Sequence, residues 1–197
     1  MALKTIVKVG KISNLSDARY CAGMSVDMLG FRVIPGSDHY VTPELFKEIR
    51  GWFSGPTVVA EIYGIEKGED LPPLIQQYLP DLFELSLTDL VKIHSPSSGF
   101  ILATTYEEVI AQEDAIAPYR NQIAFILVPA NTEKAKLEEL VKQFKVLIDV
   151  ATAIDIQLLT EVPAIKGIVL HGSAEDKPGL KNYDDLSGIL EKLETED

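Results

Sequence analysis

Apolar, β-branched runs of strand length recur along the chain, each followed by a stretch of helical pattern. The runs are TIVKVG (5–10), VDMLGFRV (26–33), TVVAEIY (57–63), LFELSL (82–87), GFILATT (99–105), IAFILVP (123–129), KVLIDVA (145–151) and GIVLHG (167–172). Several are almost continuously hydrophobic, which marks strands covered on both faces. Between them lie SDARYCAG, with Asn14 or Ser16 as its cap, and PELFKEIRGWF, with Thr42 as cap and Pro43 in its first turn. LPPLIQQYL, LTDLVKIH, YEEVIAQED, TEKAKLEELVKQF, IDIQLLTEV and YDDLSGILEKLE complete the series. Strand–helix alternation predicts parallel strands with crossover helices. Eight such units in 197 residues predict an α/β fold with one closed (β/α)8 TIM barrel, residues 1–197 forming a single domain. The structural alternative is an open doubly wound sheet, but no G-x-G-x-x-G follows the first strand.

Composition narrows the function classes. The chain is 46% hydrophobic and 24% charged, as expected of a globular domain with a sizeable core. Its net charge of −12 disfavours nucleic acid and anionic membranes as partners. The apolar runs are far too short to span a bilayer. The start, MALKTIVKVGK, lacks the long apolar region of a signal peptide, and Cys21 is the single cysteine, so a cytoplasmic location is expected. Cys21 reads as a small buried hydrophobe on the apolar face of the first helix.

Three stretches carry a family resemblance. VKVGKISNLSDA (7–18) matches V-K-I-C-G-I-T-N-x-x-D-A; SVDMLGFRVIPGSDHYVTPE (25–44) matches G-A-D-x-x-G-F-x-F-x-x-x-S-x-R-x-V/I-x-P-E; HGSAEDKPGLKN (171–182) matches S-S-G-V-E-x-x-P-G-x-K-D. In these stretches the chain resembles phosphoribosylanthranilate isomerase, the small (β/α)8-barrel enzyme of tryptophan biosynthesis. The resemblance implies an Amadori rearrangement of an aminoaldose by a first-strand cysteine and a sixth-strand aspartate, without a cofactor or metal, in a protein whose assembly state includes the homodimer.

The departures fall on the chemistry. The cysteine position is Gly10, which holds no proton to give or take. Counting strands places the sixth at IAFILVP, so the aspartate position is Val128, and Asp149 ends the seventh. The family's glycine-rich phosphate loops after strands six and seven are PANTEK and DVATAI, without glycine. His39 stands for the arginine that the family turns toward the substrate carboxylate.

Polar residues at strand ends still cluster where a barrel keeps its site. The candidate proton-transfer groups are Asp149, Lys8 and Lys11; the candidate ligand-binding groups are Arg32, His39, Glu61, Glu84, Thr152, His171, Ser173 and Glu175, with Tyr63 and Thr104 beside them. If Lys8 lies inside the barrel it needs an ionic partner, and Glu61 or Glu84 fits. No H-x-H or H-x-x-E spacing supports a metal. Three classes of function stay open: an isomerase with altered residues, a barrel enzyme of another small-molecule reaction, and a non-catalytic barrel. Loss of both acid–base groups weighs against the first. The reading carried forward is a barrel that binds a small molecule, phosphorylated or not, at its C-terminal face.

Overall fold

The computed structural model describes residues 2–66, 71–93, 99–152, 155–172 and 184–195. Eight parallel strands close on themselves in chain order: β1 (Ile6–Gly10), β2 (Met28–Arg32), β3 (Thr57–Ile62), β4 (Leu82–Ser86), β5 (Phe100–Ala103), β6 (Ile123–Pro129), β7 (Val146–Asp149) and β8 (Gly167–His171), which pairs back onto β1. This is the predicted (β/α)8 barrel. The described helices are α1 (Leu15–Gly23), α2 (Pro43–Arg50), α3 (Leu71–Tyr78), α4 (Leu87–Leu90), α5 (Tyr106–Ala111), α6 (Glu113–Ile116), α7 (Lys134–Leu140), α8 (Gln157–Glu161) and α9 (Asp184–Leu193).

The alternation of side chains along each strand sorts the core into two layers. Val7 and Val9 of β1, Leu29 and Phe31 of β2, and Ile126 and Val128 of β6 face the helices and join the large outer core. Met28, Val59, Ile101, Leu127, Leu147 and Val169 form the separate plug inside the barrel. The outer layer is fastened by aromatic contacts: Phe31 meets Phe46 of α2 edge-on, ring centroids 5.1 Å apart, and Tyr78 of α3 donates its hydroxyl to the Val41 carbonyl at 2.7 Å.

The helix starts follow their side-chain caps. Asn14 accepts from the Asp17 amide at 2.9 Å, Thr42 from the Leu45 amide ahead of Pro43, and Ser86 from the Asp89 amide. Thr105 and Glu108 form a reciprocal capping box at the start of α5. The helix ends are shorter than the periodicity predicts. The pattern at 106–114 breaks at Gln112, whose φ of −120 ends α5 before α6 begins. The pattern at 87–94 yields only the four residues of α4, after which Lys92 and Ile93 turn back on Asp89 and Leu90 with tightened three-residue bonds.

Candidate functional site

Two glycines open the C-terminal mouth. Gly10 ends β1 and Gly30 lies on β2, and both face the lumen beside Glu61 of β3. A methyl group built on Gly10 would stand 2.4 Å from Glu61 Oε1 and 3.0 Å from Lys8 Nζ; one built on Gly30 would stand 2.2 Å and 2.8 Å from the same atoms. The volume that side chains would fill at these positions is therefore occupied by an ion pair. Lys8 Nζ donates to Glu61 Oε1 at 2.6 Å and stands 2.8 Å from Glu84 Oε2. Lys8 has no solvent exposure, and both carboxylates are buried.

A second tier of contacts completes this floor. Glu61 Oε2 accepts from the Lys11 amide at 3.2 Å and lies 3.2 Å from Arg32 Nε, a charge contact whose geometry makes no hydrogen bond. Arg32 in turn covers the Tyr63 ring, 4.6 Å from its centroid, and reaches Asp38 at 3.6 Å. Tyr63 donates its hydroxyl to Glu84 Oε1 at 2.7 Å. Burial raises the Tyr63 phenol well above its ordinary value, and the Glu84 charge adds to the effect, so it stays a donor.

The same contacts set the charge states of the pair. Burial lowers the Lys8 ammonium, but the charges of Glu61 and Glu84 outweigh it and hold the group above its ordinary value of 10.5. Burial raises the Glu61 carboxyl, but Lys8, then Arg32 and the Lys11 amide, hold it below its ordinary value of 4.5. Lys8 then stabilises the fold fully below pH 10.5 and loses that contribution as pH rises through its folded-state value. Glu61 stabilises it above pH 4.5 and loses that contribution as pH falls through its folded-state value. Stability read by urea melts should be flat, as far as this pair is concerned, between those limits and fall outside them. In a variant carrying Lys8→Met and Glu61→Gln together, the loss at both extremes should shrink; unchanged acid and alkaline limbs would contradict the assignment.

Above the floor lies a cavity of about 390 Å³. Lys11, Arg32, Asp149 and His171 line one side; on the other, apolar Leu87, Ala103, Leu127 and Pro129 are interspersed with polar Ser86, Thr88, Thr104 and Glu108. His171 Nε2 meets Asp149 Oδ1 at 2.8 Å across neighbouring strands β8 and β7. The Asp149 side chain is 41% exposed and the His171 side chain 32%. The other ring nitrogen, Nδ1, is buried and unpartnered. Thr104 donates to Glu108 at the β5 end, 2.9 Å.

Of the residues picked from sequence, Lys11, Arg32, Glu61, Glu84, Asp149 and His171 line this cavity, and Lys8 lies beneath it. Lys8 meets both of its candidate partners. His39 and Thr152 do not line the cavity. His39 takes a φ of 56 in the loop after β2, and Thr152 is exposed, with its amide and hydroxyl turned onto Asp155 at 2.8 and 3.2 Å. Ser173 and Glu175 lie outside the described residues. Asp149 ends β7 as expected. Val128 lies in the outer core and also borders the cavity, between Leu127 of the inner plug and Pro129, which is in register with Asp149. Ser86, Thr88 and Glu108 also line the cavity and were missed; T-Y-E-E at 105–108 carried the capping signal that places Glu108. Among the described residues no group of three His, Cys, Asp or Glu is placed to hold a metal ion, and no helix is long and apolar enough to cross a membrane.

The architecture is thus that of a single (β/α)8 barrel with its polar groups gathered at the C-terminal mouth. No family model and no curated protein matches the chain. Solved structures do match it, among them several phosphoribosylanthranilate isomerases and a phospho-2-dehydro-3-deoxyheptonate aldolase. The enzyme of Thermus thermophilus is 17% identical, with 95% of this chain and 98% of that one covered and a TM-score of 0.74. Mutually generated monomers of the dimeric Thermotoga maritima enzyme are 17% identical, covering 96% and 98%, with a TM-score of 0.73. A third, in complex with reduced 1-(o-carboxyphenylamino)-1-deoxyribulose 5-phosphate, is 18% identical, covering 96% and 98%, with a TM-score of 0.71. The fold is that of these enzymes over nearly the full length of both chains.

Proposed function

We propose that this protein holds a small molecule in the mouth of its barrel and does not carry out the isomerase reaction of its structural neighbours. One observation carries the second half of the reading. The reactive side chain that the resemblance assigns to the end of β1 is absent, and its space is taken by the Glu61 carboxylate, pinned by Lys8, the Lys11 amide and the charge of Arg32. Glu61 cannot stand in as the acid, because the same contacts keep it ionised. On the facing side, Leu127 and Pro129 offer no titratable group. A rearrangement that needs an acid and a base on one bound sugar has neither in the required places.

The first half rests on the cavity. Its volume is in the range of small-molecule sites, and its largely polar lining converges on a space that also holds an apolar patch, Leu87, Ala103, Leu127 and Pro129. The test is complementation of a strain lacking its phosphoribosylanthranilate isomerase, followed by direct assay of the purified protein. No growth and no turnover are expected. Growth together with a rate that falls on Asp149→Ala would replace this reading with an isomerase built on other residues.

A further inference from the structure

Lys11 and Asp149 both line the mouth with charge to spare. Lys11 Nζ makes no hydrogen bond or ion pair with any described residue. Asp149 gives one oxygen, Oδ1, to His171, which leaves Oδ2 free at a 41% exposed side chain. The two are not paired with each other, although opposite charges within 4 Å would be expected to close. They stand at the ends of β1 and β7, on either side of β8, so their strands are about 10 Å apart at the ordinary strand spacing.

Three further observations define what fits between them. First, the cations beneath are already matched: Lys8 and Arg32 face Glu61 and Glu84, and Arg32 also reaches the exposed Asp38, so the floor adds no net attraction for an anion. Secondly, the backbone amides after β7, which could receive an anionic group, are filled from within: Asp155 accepts from the Ala151 and Thr152 amides at 3.1 and 2.8 Å. Thirdly, Lys11 keeps a left-handed backbone, φ 56, which strains a non-glycine residue. Glycine would relieve that strain and lose only the side chain.

We propose that the mouth binds a small zwitterion of amino-acid type. Its carboxylate meets Lys11, its ammonium meets Asp149 Oδ2, and an apolar substituent lies against Leu87, Ala103, Leu127 and Pro129. His171 is a positioning residue: its Nε2–H holds Oδ1 and aims Oδ2 at the ligand. A phosphate ester, with its second negative charge, meets Asp149 and Glu84 without a matching surplus of cations among the described residues. This inference names the ligand class of the binding site proposed above and rests on that reading.

The test is titration of the intact protein, by calorimetry and by protein-observed NMR, with L-leucine, L-phenylalanine and L-methionine. The comparison set is 3-methylbutylamine, 4-methylpentanoate and inorganic phosphate. At least one amino acid should bind, and about 10-fold or more tighter than either single-charge analogue of leucine, since each charge-assisted contact is worth more than a tenfold factor. Lys11→Met should remove the preference for the carboxylate and Asp149→Asn the preference for the ammonium, with thermal melts confirming that both variants fold. His171→Gln, which keeps a donor for Oδ1, should bind better than His171→Leu. Binding of phosphate or a single-charge analogue as tightly as the amino acids, lost in Lys11→Met, overturns the zwitterion and leaves the mouth as a binding site. If no probe shifts the resonances of mouth residues, both readings fall. Amino-acid binding that survives both Lys11→Met and Asp149→Asn also overturns the proposal.

Discussion

Lys8→Met should cost about 3–5 kcal/mol of stability, the usual penalty for removing one partner of a buried charge cluster. In a domain of this size that is a fall in Tm of roughly 6–20 °C. The side chain is fully buried, so methionine fits the stem and only the ammonium is lost. What remains is Glu61 and Glu84 at the barrel floor, with Arg32 reaching the first and the Tyr63 hydroxyl the second. One carboxyl must then take up a proton or draw in water. Urea melts measure the loss. A companion variant that adds Glu61→Gln to Lys8→Met should recover part of it, because it removes the uncompensated charge. A loss under 1 kcal/mol for Lys8→Met alone would show that the cluster is solvated and that the buried pair is not the floor described here.

The second large effect is expected at the β1 end. Gly10→Cys puts back the side chain of the structural neighbours' motif, yet it should yield a less stable protein and no isomerase. Its Cβ would stand 2.4 Å from Glu61 Oε1, and that carboxylate cannot swing aside without giving up Lys8 and the Lys11 amide. Overpacking of this sort costs about 1–3 kcal/mol. Combining Gly10→Cys with Glu61→Ala should then be less damaging than the sum of the two alone, by roughly 1 kcal/mol or more of coupling. Strict additivity in thermal or urea melts would mean that the two sites do not compete for the same space.

The sequence made the barrel legible because its strands are apolar on both faces and its first helices are capped by recognisable residues, Asn14 and Thr42. That same double burial hid the orientation of each strand. In IAFILVP nothing distinguishes inward from outward residues, and only the structure sorts Leu127 into the inner plug and Val128 into the outer core. Lys8 was legible for the opposite reason: a lysine in a buried strand must find a carboxylate, and Glu61 and Glu84 stood within strands of the same barrel. Glycine gave no such clue. Gly10 read as a missing group, and only the packed structure shows that a charge from β3 has moved into its place. Loop residues were the least legible, since His39 and Thr152 leave the mouth through backbone turns and local hydrogen bonds that periodicity does not encode.

The barrel floor also bears on the order in which the chain assembles. Lys8 and Glu61 are 53 residues apart, and Glu84 lies further still along the chain. No local segment can neutralise this ammonium, so its dehydration waits until β1, β3 and β4 are in place together. The apolar plug spans β2, β3 and β5 to β8, and its members from β5 to β8, Ile101, Leu127, Leu147 and Val169, have no charge to dehydrate. If closure of the charged half follows the rate-limiting barrier, the ion pair is a latch, and Lys8→Met should speed unfolding while leaving the refolding rate almost unchanged, as chevron kinetics would read.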